Sequence, residues 1–249
     1  MAAQPQVRVM GPVAEVPGAA DAGLAEVPET PELRDRRMAF AELGGEVRRL
    51  IDAAVRAEVA TGTVVRTAAV VRELVASLSQ RSRPVTKPPA IDDLVGGLRL
   101  FNPVIGAANP IAPPLRVTVG EGRAVGECTL GPAYEGPHMY GHGGISALLL
   151  DQVLGHTAAS VDNVGVTADL SLRYRKPVPL DVPIRVWGTV VEVDGRRTTV
   201  TGGITTVAEP DVQLVEADGR FVKLRPDQAK RLFAASTSAD AVNPDTAHD

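Results

Sequence analysis

Apolar residues recur at helical spacing from Phe40 onward. Phe40, Leu43, Val47, Leu50, Ile51, Ala54 and Val55 stand among Arg and Glu, which gives the segment one oily face and one charged face. Thr61-Gly62-Thr63 interrupts the run as a C-terminal glycine followed by an N-cap, and Val64, Ala68, Val71, Leu74, Val75 and Leu78 then resume it. Two helices with a short break are predicted across 32–82, with Gly44-Gly45 weakening the start of the first. Upstream, 1–31 holds no sustained period of either kind and reads as a disordered tail. Downstream, Pro84, Pro88, Pro89, Pro103, Pro110, Pro113 and Pro114 crowd into 83–114. Proline cannot donate to a ladder and restricts the residue before it, so this stretch is expected to be an irregular cover or a linker.

After Leu115 the period changes to 2. Arg116 to Val119 and Arg123 to Leu130 read as a hairpin about Gly120-Glu121-Gly122, and Gly143 to Ala159 reads as one apolar helix. Val164, Val166, Ala168, Leu170, Leu172 and Tyr174 then alternate with Gly165, Thr167, Asp169, Ser171, Arg173 and Arg175. The alternation predicts a strand with one apolar face and a second face bearing Thr167, Asp169 and the arginines. Val182 to Val193 turns at Asp194-Gly195 into Arg196 to Val207, and Val212 to Leu224 follows Glu209-Pro210-Asp211. The predicted class is α+β over 115–233, an antiparallel sheet wrapped around a central helix. The helical extension precedes it, and 234–249 is expected to be a second disordered tail. A helix enclosed by a sheet is buried on most sides, which accounts for the scarcity of polar residues from Ile145 to Leu154.

Charge and composition narrow the function classes. The net charge of -4 is concentrated at the ends: 1–31 has one Arg against four acids and 234–249 has three Asp with no Lys or Arg, leaving the middle at +2. That suits a small anionic ligand. Four Phe, three Tyr and one Trp, with no dense Lys/Arg stripe, argue against nucleic acid. No apolar run is long enough for a transmembrane segment and no secretory leader is visible, so a cytoplasmic location is expected. Cys128 stands alone in an expected strand, which excludes an intrachain disulfide and reads as a buried structural thiol.

The polar exceptions within the apolar helix are Ser146, Asp151, Gln152, His156 and Thr157. Asp151 follows Leu148-Leu149-Leu150, where burial of a carboxylate is costly without a partner. It belongs either to a chemical site or to a solvated stripe shared with Gln152. Just before the helix runs Gly136-Pro137-His138-Met139-Tyr140-Gly141-His142-Gly143-Gly144. Free N–H groups at a helix start favour a developing oxyanion, and an ordinary glycine turn is the other reading. His142 is a candidate base, metal ligand or orienting donor. His138 and His142 are spaced like a metal pair, but no further ligand completes a familiar pattern, and no metal is expected.

The run His142-Gly143-Gly144-Ile145-Ser146-Ala147-Leu148-Leu149-Leu150-Asp151, with Thr167 in Gly165-Val166-Thr167-Ala168-Asp169-Leu170 and then Tyr174-Arg175-Lys176-Pro177-Val178-Pro179, resembles the phenylacetate-type (PaaI) and THEM-type acyl-CoA thioesterases of the hotdog superfamily. The resemblance covers roughly 100–225 and implies a hotdog fold and hydrolysis of acyl-CoA to a carboxylate and CoA. It further implies that Gly144, with Gly143, supplies N–H groups to the thioester oxygen. Asp151 would act as nucleophile or as base for water, Thr167 would position water or the carboxylate, and His142 would orient the loop or polarise the carbonyl. No separate cofactor is expected, since CoA is part of the substrate.

Gly144 and Asp151 are seven residues apart, hence about 10 Å along a helix axis. One chain cannot readily bring both to the same carbonyl. A homodimer or tetramer with the active site shared between subunits is therefore expected, and the family builds such assemblies. The CoA phosphates need cations, for which Arg173, Arg175 and Lys176 at a strand end and Arg196-Arg197 after a turn are the candidates. Phe101 to Leu115 is expected to shape an acyl pocket. A non-catalytic acyl-CoA-binding or scaffolding hotdog protein and a hotdog enoyl-CoA hydratase are the competing functions.

Overall fold

The computed structural model describes residues 8–9, 26–85, 87–113 and 115–231. The tail expected at 234–249 and most of that expected at 1–31 lie outside them. Helix α1 spans Pro31–Val55. Thr30 caps it by accepting a hydrogen bond from the Leu33 N–H at 3.2 Å, and Pro31 occupies the first helical position, where a missing N–H costs nothing. Helix α2 spans Thr61–Ser79. The break falls at 56–60, ahead of the predicted Thr61-Gly62-Thr63. Gly62 does not take the left-handed conformation that ends helices, and it lies in the first turn of α2. No residue of α2 is buried.

The proline-rich stretch is irregular and packed. Ile91, Leu100 and Ala108 form a small core with Leu33, Phe40, Leu98 and Phe101, and the Phe40 and Phe101 rings meet edge to face at 5.7 Å. Arg37 donates to the Ile91 carbonyl, while Arg48 donates to those of Ala112 and Asn109. A Cβ on Gly44 would lie 2.7 Å from the Ala108 carbonyl carbon, so glycine there lets α1 press directly on this segment. Gly44 thus serves packing inside α1, whatever its cost to helix propensity.

Among the described residues seven strands form one antiparallel sheet: β1 (Arg8–Val9), β2 (Arg116–Gly120), β3 (Arg123–Thr129), β4 (Val166–Tyr174), β5 (Pro183–Asp194), β6 (Arg197–Thr206) and β7 (Val215–Val222). Their order is β1-β2-β3-β5-β6-β7-β4, so among the described residues β4 ends the sheet and pairs only with β7. Helix α3, Gly143–Ala159, packs across one face of the sheet, against β3, β5, β6 and β7. Leu149, Leu150, Val153 and Leu154 are fully buried in one core with Ile184, Val186, Val200, Ile204 and Val215. The approach is close: a Cβ on Gly202 would sit 2.6 Å from a Leu154 methyl. Among the described residues no helix is long and apolar enough to cross a membrane.

Strand β4 departs from the predicted alternation. Thr167 pairs with Phe221 and Asp169 with Arg220, which leaves Ala168 as the extra residue of a bulge. Phe221, Gly219, Ala217 and Val215 are the buried positions of β7, and cross-strand partners share a face. Thr167 therefore lies on the helix-facing side with Leu170, Leu172 and Tyr174, not with Asp169 on the outer face as an unbroken period of 2 predicts. The apolar side of β4 is also less covered than expected, since Tyr174 is 55% exposed, and Val166, paired with Val222, lies on the outer face instead of with the apolar positions.

Candidate active site

Asp151 sits midway along α3, half-buried after three leucines. The bulge in β4 turns Thr167 toward it, and the Thr167 hydroxyl donates to Asp151 Oδ1 at 2.8 Å. Asp151 Oδ2 has no protein partner among the described residues. The carboxylate is thus oriented through one oxygen and open through the other.

Gln152 does not share a solvated stripe with Asp151. Its Oε1 accepts from Asn102 Nδ2 at 3.1 Å, and its Nε2 lies 2.9 Å from His156 Nε2. Asn102 in turn accepts the Val104 and Ile105 N–H groups through Oδ1, so a polar chain ties the proline-rich segment to the helix one residue past Asp151. Burial pushes His156 down to about 4, which keeps it neutral at pH 7. Nothing in the sequence periodicity foretells a partner fifty positions away.

At the start of α3, His142 is the N-cap, and its Nδ1 accepts the Gly144 N–H at 3.0 Å. That nitrogen is therefore unprotonated in this arrangement. Of the two glycines expected to face an oxyanion, Gly144 has its N–H engaged in this way. The Gly143 N–H has no partner among the described residues. Tyr174, an apolar strand position with no assigned role in the sequence, donates from its hydroxyl to the Gly143 carbonyl at 2.9 Å and covers that glycine with its ring. The loop before the helix is anchored as well: the His142 N–H donates to the Tyr134 carbonyl, and Met139, with φ of 70°, is held by the Glu135 carboxylate on its N–H. His138 lies 3.3 Å from the same carboxylate. Cys128 is buried, and desolvation pushes its thiol up to about 12.

The candidate phosphate-binding cations form two separate groups. Arg173 and Arg175 both pair with Glu216, beside exposed Lys176. Arg196 donates to the Lys223 carbonyl, and Arg197 opens β6 opposite Val222. Glu216 and Val222 are six positions apart on β7, so the groups stand roughly 20 Å apart. The first is at the Tyr174 end of β4, by Gly143, and the second at the Thr167 end.

The thioesterase superfamily model matches residues 140–211, which contain the whole of α3, β4, β5 and β6. The chain is similar to the acyl-coenzyme A thioesterase THEM4 of Mus musculus, 33% identical over 87 residues, covering 35% of this chain and 37% of that protein. It is similar also to THEM4 of Xenopus laevis, 30% identical over 96 residues, with 39% and 43% covered. It therefore spans about two fifths of the length of these curated relatives. It is similar also to the crystal structure of the thioesterase superfamily protein RHA08564, with 31% identity, 85% of this chain and 97% of that one covered, and a TM-score of 0.66.

Proposed function

The chain belongs to the thioesterase superfamily, and on that premise we propose that it hydrolyses acyl-CoA thioesters to a carboxylate and free CoA, with Asp151 as the reacting carboxylate. The observation that carries this reading is the hydrogen bond from Thr167 to Asp151. It fixes the carboxylate while leaving Oδ2 free to take a proton from water or to attack carbon. In the first route the water oxygen adds to the thioester carbon as Oδ2 removes its proton. In the second, Oδ2 adds directly and a mixed anhydride is hydrolysed afterwards. In both, the tetrahedral oxyanion collapses, the C–S bond breaks, and the CoA thiolate leaves and is protonated.

The oxyanion needs a donor that is not already engaged. Gly143 meets that requirement at the positive end of a 17-residue helix, with Tyr174 holding its carbonyl and His142 fixing the turn through Gly144. Asp151 lies eight residues on, about 12 Å along the axis. The complete site therefore takes the Gly143 end of one protomer and Asp151 of its partner. Strand β4 suits a two-fold contact, since its outer edge is unpaired among the described residues and Val166 and Tyr174 are exposed. In such a dimer each carbonyl would be flanked by the Arg173 and Lys176 group of one chain and the Arg196-Arg197 group of the other, available for CoA phosphates. Purified protein is expected to release CoA thiol from at least one acyl-CoA, and Asp151→Asn to lose most of that rate while staying folded. Full activity in Asp151→Asn would overturn the assigned chemistry, and a strictly monomeric active enzyme the shared site.

A further inference from the structure

A cavity of about 650 Å³ lies away from the Asp151 and Thr167 pair, between α1, the Pro110-Ile111 turn and the end of β3. Its volume falls in the range of small-molecule sites. Ile51, Pro110, Ile111, Ala133 and the Tyr134 ring give it mainly apolar walls, and Arg48, Arg49 and Asp52 supply its charges. Two of those charges are matched: Arg49 pairs with Glu46, and Asp52 with Arg56. Arg48 is not. Its Nε and Nη2 are held by the carbonyls of Ala112 and Asn109 at 3.0 and 2.8 Å, and no carboxylate among the described residues comes within ion-pair distance. The protein thus fixes a half-buried guanidinium against an apolar wall with neutral acceptors only. The charge is felt there, since Arg48 opposes the upward effect of burial on the Tyr134 phenol.

Gly45 is the second, independent observation. A side chain at Gly44 would strike the Ala108 backbone, but a Cβ at Gly45, which lines the cavity, would meet nothing within 4 Å. Glycine inside a helix costs about 1 kcal/mol relative to alanine. No neighbour among the described residues requires that cost at position 45, and the space beside it is open to a ligand.

We propose that this cavity binds an amphipathic monocarboxylate, an acid with an apolar body of medium chain length. Its carboxylate meets Arg48, and its hydrocarbon lies along Ile51, Ile111 and Tyr134. Acids of this kind are what thioester hydrolysis releases, but binding here requires no turnover and is testable whether or not Asp151 is catalytic. Isothermal titration of the full chain with decanoate, and with decanol as the uncharged probe, tests it. Wild type is expected to bind one decanoate per chain and to bind decanol at least tenfold more weakly. Gly45→Leu, which fills the space with a better helix former, is expected to weaken decanoate at least tenfold without lowering the melting temperature. Arg48→Gln is expected to bring decanoate down to the decanol level, and it carries the test if Gly45→Leu does not fold. Absence of decanoate binding in wild type, equal decanoate affinity in wild type and folded Gly45→Leu, or equal affinity for decanol and decanoate would each overturn the proposal.

Discussion

Replacing Thr167 by Val deletes one hydroxyl and little else. Valine matches threonine in shape and suits a strand, and position 167 is exposed in the chain, so the fold should hold. What is lost is the 2.8 Å hydrogen bond to Asp151 Oδ1. A hydrogen bond to a charged group contributes about 1.5–3 kcal/mol, and solvent access to this pair favours the lower end. If the bond orients the carboxylate in the transition state, about 1–2 kcal/mol translates into a rate loss of roughly 5- to 30-fold. The assay is release of CoA thiol followed with a thiol-reactive dye, to which buried Cys128 contributes little in the native protein. Thr167→Ser should recover most of the rate, because it restores the donor. A Thr167→Val enzyme as fast as wild type, with an unchanged melting temperature, would refute the claim that this contact positions the reacting group. Loss of both Thr167→Val and Thr167→Ser to unfolding would instead assign the contact to stability.

Gly202→Ala places a methyl 2.6 Å from Leu154 and against the Trp187 carbonyl, so urea unfolding should show a loss of about 1–3 kcal/mol from overpacking between α3 and the sheet. His142→Ala removes the cap of α3, and calorimetry should show a loss of about 1 kcal/mol, together with slower thiol release as Gly143 loses its fixed orientation. His156 gives a pH signature. Its folded value of about 4 lies below the unfolded 6.5, so the unfolded chain takes up the proton first, and stability present above pH 6.5 is lost as pH falls toward 4. That loss is about 3 kcal/mol for the 2.5-unit difference; denaturation midpoints at pH 7.5 and 4.5 should show it in wild type and much less of it in His156→Gln.

The elements that the sequence discloses best are those whose burial is uniform. Helix α3 was legible to its end residues because it is apolar all round, and β5 and β6 were legible because two long β-rich runs flank a turn at Asp194-Gly195, even though β5 carries a bulge of its own at Val191. The bulge at Ala168 was not. Alanine sits as readily in a bulge as on either face, so the even-numbered positions of β4 look uninterrupted while the ladder slips by one. Spacing alone would then have turned Thr167 away from Asp151, and only the resemblance joined the two residues. The break between α1 and α2 was misplaced because a glycine next to two threonines imitates a cap that the backbone does not form. Tyr174 read as one more apolar position, since nothing local reveals that its hydroxyl reaches the Gly143 carbonyl thirty-one residues earlier.

The chain from Asn102 through Gln152 to His156 has a further consequence for how the protein can be divided. The extension before Leu115 looks like a module that could be cut away or exchanged between relatives. Excision would strip Gln152 of its amide partner, open a neutral imidazole to water, and bare the apolar surface that Val104 and Ile105 now cover. The helix carrying Asp151 has one of its walls built from sequence some fifty residues upstream. Any boundary drawn at the edge of the sheet domain would cut through that helix's own packing.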